Sequence, residues 1–194
     1  VGARTYWAKF TRKHLMVMGQ AIIAAMRKGL MDVDVPLLLE TPMTGLVVEN
    51  GVVTGVEAVH EGENVTFKAR YGVVLGSGGF EHNAEMRSKY QREPITTEWT
   101  TGAATNTGDG IVAGMAAGAA IDFMEDAWWG PTVFKGGRPW FALAERNLPG
   151  SIMVNAQGKR FGNESAPYVE AVHTMYGGEY GQGEGPGENI PTWL

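Results

Sequence analysis

The sequence predicts a mixed α/β fold, and three stretches carry that prediction. Leu15, Met18, Ile22, Ile23, Met26 and Leu30 recur at helical spacing among helix-favouring alanines. "TGLVVENGVVTGVEAV" joins two β-rich runs through Asn50-Gly51, the strongest short hairpin signal. "RYGVVLGSGGFEHN" runs from an apolar stretch through a glycine turn toward a polar, helix-forming segment.

Taken in order, the elements follow from local chemistry. His14 to Leu30 reads as a helix with Gly29 near its end. "VPLLLET" is expected as a buried strand, being apolar and too short for a helix. The hairpin around Asn50-Gly51 follows, and "NVTFKARYGVVLG" supplies more strand, with Asn64 in the preceding turn. "GVVLGSGG" is expected to be the last strand of this meander and its exit turn. "HNAEMRSKYQ" reads as a short helix with Asn83 at its N-cap and Pro94 beyond its end. "TNTGDGIVAGMAAGAAIDFM" reads as a loop and a small-residue helix. In it Gly110, Gly114 and Gly118 give one face that another backbone can approach closely. From "EDAWWGP" onward Trp, Gly and Pro dominate. "PGSIMVNAQGKRFGNES" is expected as a strand, a turn at Gln157-Gly158 and a second short strand. "APYVEAVHTMY" reads as a helix and "GGEYGQGEGPGENIP" as an acidic loop. The change of texture places a boundary near Asp126, dividing the chain into residues 1–126 and 127–194.

Composition narrows the function. The chain has 194 residues, 44% of them hydrophobic, enough for a core. A net charge of −5 without a basic cluster argues against nucleic acid or a membrane surface as partner. No run approaches the ~18 apolar residues of a membrane span. Without cysteine there is no disulfide, zinc-thiolate site or thiol chemistry. This fits a reducing compartment, and a cytoplasmic location is expected. The four histidines lack metal-ligand spacing, so no metal site is expected. The chain starts without Met and stops on Trp193-Leu194, so a piece of a longer protein is expected.

The glycines pose the functional question. Gly is 28 of 194 residues, roughly twice the usual share. The dinucleotide fingerprint G-x-G-x-x-G fails in "GSGGFE", because Glu81 holds the sixth position. A carboxylate there also suits a pyrophosphate badly. The turn Gly76, Ser77, Gly78 and Gly79 still permits close backbone approach to a ligand; a plain tight turn is the other reading. Thr107, Gly108, Asp109 and Gly110 open the next helix. Thr107 or Asp109 can cap it, and the backbone donors and the Asp109 carboxylate can also sit beside a hydroxyl-bearing ligand; the two roles are not exclusive.

"GVVLGSGGF", "TNTGDG", "AGAAIDFMEDAWWGP" and "PGSIMVNAQGKRFGNESAPY", in that order, resemble the FAD-dependent 3-ketosteroid dehydrogenases. These belong to the wider fumarate reductase/succinate dehydrogenase flavoprotein superfamily. The resemblance implies a partial FAD-binding, Rossmann-like domain over 1–126 and the start of a substrate domain from 127. It implies FAD as cofactor, with Thr41, Pro42, Met43 and Thr44 near the adenine end. Gly76 to Gly79 would form the family's second glycine turn, and Asn106, Thr107, Gly108 and Asp109 would lie near the ribityl chain and isoalloxazine. The family's first fingerprint precedes, and its flavin-binding C-terminal segment follows, the stretch present here. This stretch alone is therefore expected to lack activity and stable FAD binding.

Tyr168 matches the family's catalytic tyrosine in "NESAPY". The resemblance implies that it removes a proton from C2 of the steroid A ring while C1 delivers hydride to flavin N5. Trp128 and Trp129 either line an apolar substrate wall or pack a domain junction. Asn163 and Glu164 are expected to hold the loop before Tyr168. His173 could tune Tyr168 or face solvent. The implied substrate is a steroid or similar flat apolar ketone, and the electron acceptor is unspecified. Alternatives are a 3-ketosteroid Δ4-(5α)-dehydrogenase and a fumarate reductase-like enzyme. The latter needs site arginines, for which Arg146 and Arg160 are nearest, Arg160 in a structural-looking turn. From another class, a non-catalytic ligand- or partner-binding module remains open.

Overall fold

The computed structural model describes residues 2–10, 16, 19–178, 183 and 185–194. Two compact units emerge, one of residues 1–44 and 57–67, the other of residues 45–56 and 68–194.

The first unit contains α1 (Gly2–Phe10), which the sequence reading did not anticipate, and α2 (Gly19–Asp32). α2 bears out the helical spacing; the predicted start at His14, with Leu15 and Met18, lies outside the described residues. Its apolar positions Ile22, Ile23 and Met26 are exposed. Lys28 and Asp32 pair at 2.6 Å on its open surface, an arrangement worth little. The strand expected at "VPLLLET" is absent. Val35, Leu37, Leu38 and Leu39 are exposed, and no described strand pairs with them. A strand exists only through its ladder, so an apolar run without a neighbour stays irregular.

β1 (Met43–Glu49), β2 (Val52–His60) and β3 (Glu63–Lys68) form a sheet of order β1-β2-β3. Asn50 and Gly51 both take positive φ, 53° and 79°, as a two-residue hairpin turn demands. The second turn is Glu61-Gly62 rather than one at Asn64, which lies in β3. The meander stops at Lys68. The expected strand through "GVVLGSGG" is irregular, with Val74 96% exposed, again for want of a described neighbour.

In the second unit, α3 (Ala84–Tyr90) starts as expected: Asn83 Oδ1 accepts from the Met86 N–H at 3.0 Å. α4 is Asp109–Ala116. β4 (Thr132–Lys135) and β5 (Arg138–Phe141) make an antiparallel hairpin that sequence reading missed. The Gly136-Gly137 turn between two β-rich runs was its available signal. α5 (Tyr168–Tyr176) agrees with the expected helix. The two strands expected around Gln157-Gly158 reduce to single bridges, Val154 with Arg160 and with Trp193. Asn155 Oδ1 accepts from the N–H groups of Gln157 and Lys159, so an Asx turn replaces the ladder. The described part of the acidic stretch from Gly177 holds no helix or strand; its other residues lie outside the described set. Phe80, Met86, Ala142, Met153, Ala171, Val172 and Tyr176 form this unit's buried apolar set. Among the described residues no helix is long and apolar enough to cross a membrane.

Candidate active site

The two glycine clusters, 29 positions apart, are brought side by side. The Gly108 N–H donates to the Gly79 carbonyl at 3.1 Å, and the His82 N–H to the Asn106 carbonyl at 3.0 Å. Asn83 Nδ2 donates to the Thr107 carbonyl at 2.9 Å, so α3's cap residue also holds the second cluster. Gly78 has φ +84°, and a Cβ there would stand 2.7 Å from Asn106 Oδ1. Close approach accounts for Gly110, where a Cβ would overlap the Ser77 hydroxyl, but not for Gly114, where a Cβ would make only ordinary contact with Ala119 and Leu75. Gly118 departs from this face, lying beyond the helix in open space.

The capping expectation needs correction. The N-cap of α4 is Gly108, with φ +84°, and no side chain caps the helix. Thr107 Oγ1 donates to Asp109 Oδ2 at 2.9 Å instead, so the two candidate caps satisfy each other. The first turn of α4 keeps its backbone donors for another partner. Gly76, Ser77 and Gly78 are exposed, and Gly76 has open space where a side chain would stand. Bare backbone, an uncapped helix start and a crowded Gly78 suit the polar oxygen atoms of a cofactor pressed against the chain. Glu81 turns its Oε1 to Asn106 Nδ2 at 2.7 Å, so this carboxylate is engaged with the second cluster. Thr41, Pro42, Met43 and Thr44 lie in the other unit. There Thr41 Oγ1 donates to the Leu39 carbonyl and stands 2.8 Å from His60 Nδ1.

Tyr168 is the first residue of α5, and the loop before it is pinned from two sides. Arg146 Nη1 donates to the carbonyls of Glu164 and Ala166. Glu164, as expected, holds the loop: it accepts the Met153 N–H at 2.9 Å and a two-pronged contact from Arg160 at 2.9 and 2.6 Å. Hydrogen bonds from Arg160, then from Met153, hold its carboxyl down to about 2. Asn163 Oδ1 accepts from the Ser165 N–H at 3.0 Å. The Tyr168 ring packs edge-on against Phe141 of β5 at 5.5 Å, and its hydroxyl accepts from Trp128 Nε1 at 2.7 Å.

Asp126 organises the tryptophan pair. Its Oδ1 accepts from Trp129 Nε1 at 2.5 Å and from the Ala127 N–H at 2.8 Å, and lies 3.2 Å from His173 Nε2. Burial would push this carboxyl up, but the hydrogen bonds from Ala127, His173 and Trp129 outweigh it and hold it below its usual range. His173 is thus half-buried against Asp126.

A cleft of about 730 Å³ collects residues from all these parts. Gly79, Glu81, Asn106, Trp128, Trp129 and Tyr168 share its wall. The volume falls within the ~300–1,000 Å³ range of ligand sites. Gly76, Ser77, Gly78, Thr107, Gly108 and Asp109 do not line this cleft. Phe141, Asp126 and Glu81 were missed as site residues. Phe141 could have been found through the Gly-Gly hairpin; the other two carry no local signal. Among the described residues no cluster of three or more His, Asp or Glu could hold a metal ion.

The FAD binding domain family matches residues 2–190. The chain is 63% identical over 199 residues to a 3-oxosteroid 1-dehydrogenase of Mycobacterium tuberculosis (strain ATCC 25618 / H37Rv), covering 100% of this chain and 35% of that protein. It is 62% identical to a 3-oxosteroid 1-dehydrogenase of Mycolicibacterium smegmatis, with the same coverage. Among solved structures it is similar to 3-ketosteroid delta1-dehydrogenase from Sterolibacterium denitrificans in complex with 1,4-androstadiene-3,17-dione. There the TM-score is 0.81 at 40% identity, covering 91% of this chain and 32% of that one. The chain thus spans about a third of the length of these relatives.

Proposed function

This chain belongs to the FAD-binding-domain family, and from that premise we propose that the whole protein carrying it desaturates the C1–C2 bond of a 3-ketosteroid. The observation that carries the reading is the single cleft in which Gly79 and Asn106, from the two glycine clusters, meet Trp128, Trp129 and Tyr168. The two relatives named 3-oxosteroid 1-dehydrogenase and the steroid-bound structural neighbour support the same reaction. Residues 1–126 would belong to the cofactor-binding part and 127–194 to the start of the substrate-binding part.

Gly76, Ser77, Gly78 and Gly79, with Asn106, Thr107, Gly108 and Asp109, would hold the cofactor through backbone donors and the Asp109 carboxylate; Thr41, Pro42, Met43 and Thr44 would serve its adenine end. Bound FAD supplies the acceptor for the hydride that leaves C1. Tyr168, as the phenolate, takes the C2 proton on its oxygen and becomes the phenol, and the electron pair of that C–H bond becomes the new C1–C2 π bond. The 3-keto group acidifies the C2 proton. Trp128 donates its N–H to the oxygen that receives the proton, which favours negative charge there before transfer. Trp128 and Trp129 present flat apolar faces to a flat ring system, with Trp129 fixed by Asp126. The test is anaerobic mixing of the whole protein with 4-androstene-3,17-dione. Flavin bleaching with formation of the 1,4-diene supports the reading; the absence of both refutes it.

A further inference from the structure

A second cavity, of about 330 Å³, adjoins the cleft of Tyr168 and shares Arg87, Trp99, Trp129, Gly130 and Thr132 with it. Its other walls are mostly apolar, with Phe134, Met153, Val172 and Tyr176 among them. Two arginines line this space, Arg87 and Arg146, only 6% and 3% exposed. Each spends Nη1 on backbone carbonyls, Arg87 on Glu81 and Arg146 on Glu164 and Ala166. The Nε of each is buried without a hydrogen-bond partner. Among the described residues no carboxylate forms an ion pair with either, although Glu81 acts on Arg87 from a distance.

The distribution of charge is the reverse of what folding alone rewards. Arg160, whose side chain is 58% exposed, has the two-pronged carboxylate partner, while the two buried guanidiniums have none. Burial pushes both of them down from their usual value; at Arg87 it outweighs Tyr176 and Glu81, which act the other way, and at Arg146 nothing opposes it. A buried cation is expensive unless paired. Arginine's fork fits a carboxylate in two-pronged fashion.

We propose that this cavity is a subsite for a carboxylate carried on an apolar ring body, with Arg87 and Arg146 as its binding cations. The inference rests on the proposed reaction and refines its substrate class. A ring ketone lying in the cleft of Tyr168 sends an acidic tail past Trp129 and Gly130 to the arginines. A ketone of the same shape with an esterified tail leaves both guanidiniums uncompensated.

The experiment uses the whole protein and two probes, 3-oxo-4-androstene-17β-carboxylic acid and its methyl ester. Binding is read by quenching of tryptophan fluorescence, since Trp99 and Trp129 line both spaces. The acid should bind about tenfold more tightly than the ester, the scale of a hydrogen bond to a charged group. Arg87→Gln and Arg146→Gln should each remove most of that preference, while Arg146→Lys should retain part of it. Ester binding equal to or tighter than acid binding in wild-type protein overturns the proposal, as does a preference that survives both Gln variants. If a Gln variant fails to fold, the wild-type comparison of acid with ester decides alone. Flavin reduction by the neutral diketone without preference for the acid keeps the reaction and removes the subsite. Acid-selective binding without flavin reduction by any of these ketones does the opposite.

Discussion

Replacing Tyr168 by Phe removes one oxygen and isolates the chemistry from the fold. The ring stays, and with it the edge-on contact with Phe141 at 5.5 Å. The lost interaction is the 2.7 Å hydrogen bond from Trp128 Nε1, and Trp128 is 85% exposed, so water takes over that donor. A hydrogen bond exchanged for water costs about 0.5–1.5 kcal/mol at most, and an exposed one lies at the low end. Thermal unfolding and flavin content should therefore barely change. If the oxygen is the base, its loss slows proton abstraction by about a hundredfold or more. That is roughly 2.7 kcal/mol of barrier. Steroid affinity should fall far less, because the loss lies in the transition state. The assay is single-turnover flavin bleaching by 4-androstene-3,17-dione in the whole protein, compared between wild type and Tyr168→Phe. A Phe variant that bleaches at the wild-type rate refutes the role and leaves Tyr168 as packing against Phe141.

Gly78→Val should lower flavin occupancy of the purified whole protein, because φ is +84° and a Cβ already meets Asn106 Oδ1 at 2.7 Å; a wild-type ratio of flavin to protein absorbance would reduce Gly78 to a turn residue. Gly108→Ala should destabilise the protein by about 1–2 kcal/mol, since the left-handed backbone disfavours a Cβ and Phe80 Cβ would stand 2.9 Å away; unfolding in urea measures it, and an unchanged midpoint contradicts the packing argument. Glu164, usually near 4.5, is held at about 2 in the folded state. Its contribution is therefore present above about pH 4.5 and lost as pH falls toward 2. Glu164→Gln should lower stability at pH 7 and flatten the acid-side decline, and an equally steep decline in the variant would assign it to other carboxylates.

The sequence by itself determined what neighbouring residues can enforce. Asn50-Gly51 specified a hairpin because its φ angles are set within two residues. Asn83 specified a helix start because its side chain bonds three positions ahead. Motif order carried the family, since "GVVLGSGGF", "TNTGDG" and "NESAPY" identify it without any contact being known. Strand character at "VPLLLET" and "GVVLG" was misread for the complementary reason: apolar β-rich composition is local, but a ladder needs a partner elsewhere. Only the tertiary structure decided that Gly108 rather than Thr107 or Asp109 caps α4, because Thr107 and Asp109 bond each other and Gly108 reaches across to Gly79. It alone placed Trp128 on the Tyr168 hydroxyl, 40 positions away, and buried Arg87 and Arg146 along one cavity. Periodicity and turn chemistry act over a few residues, whereas a cleft is closed by side chains whose separation along the chain leaves no pattern to read.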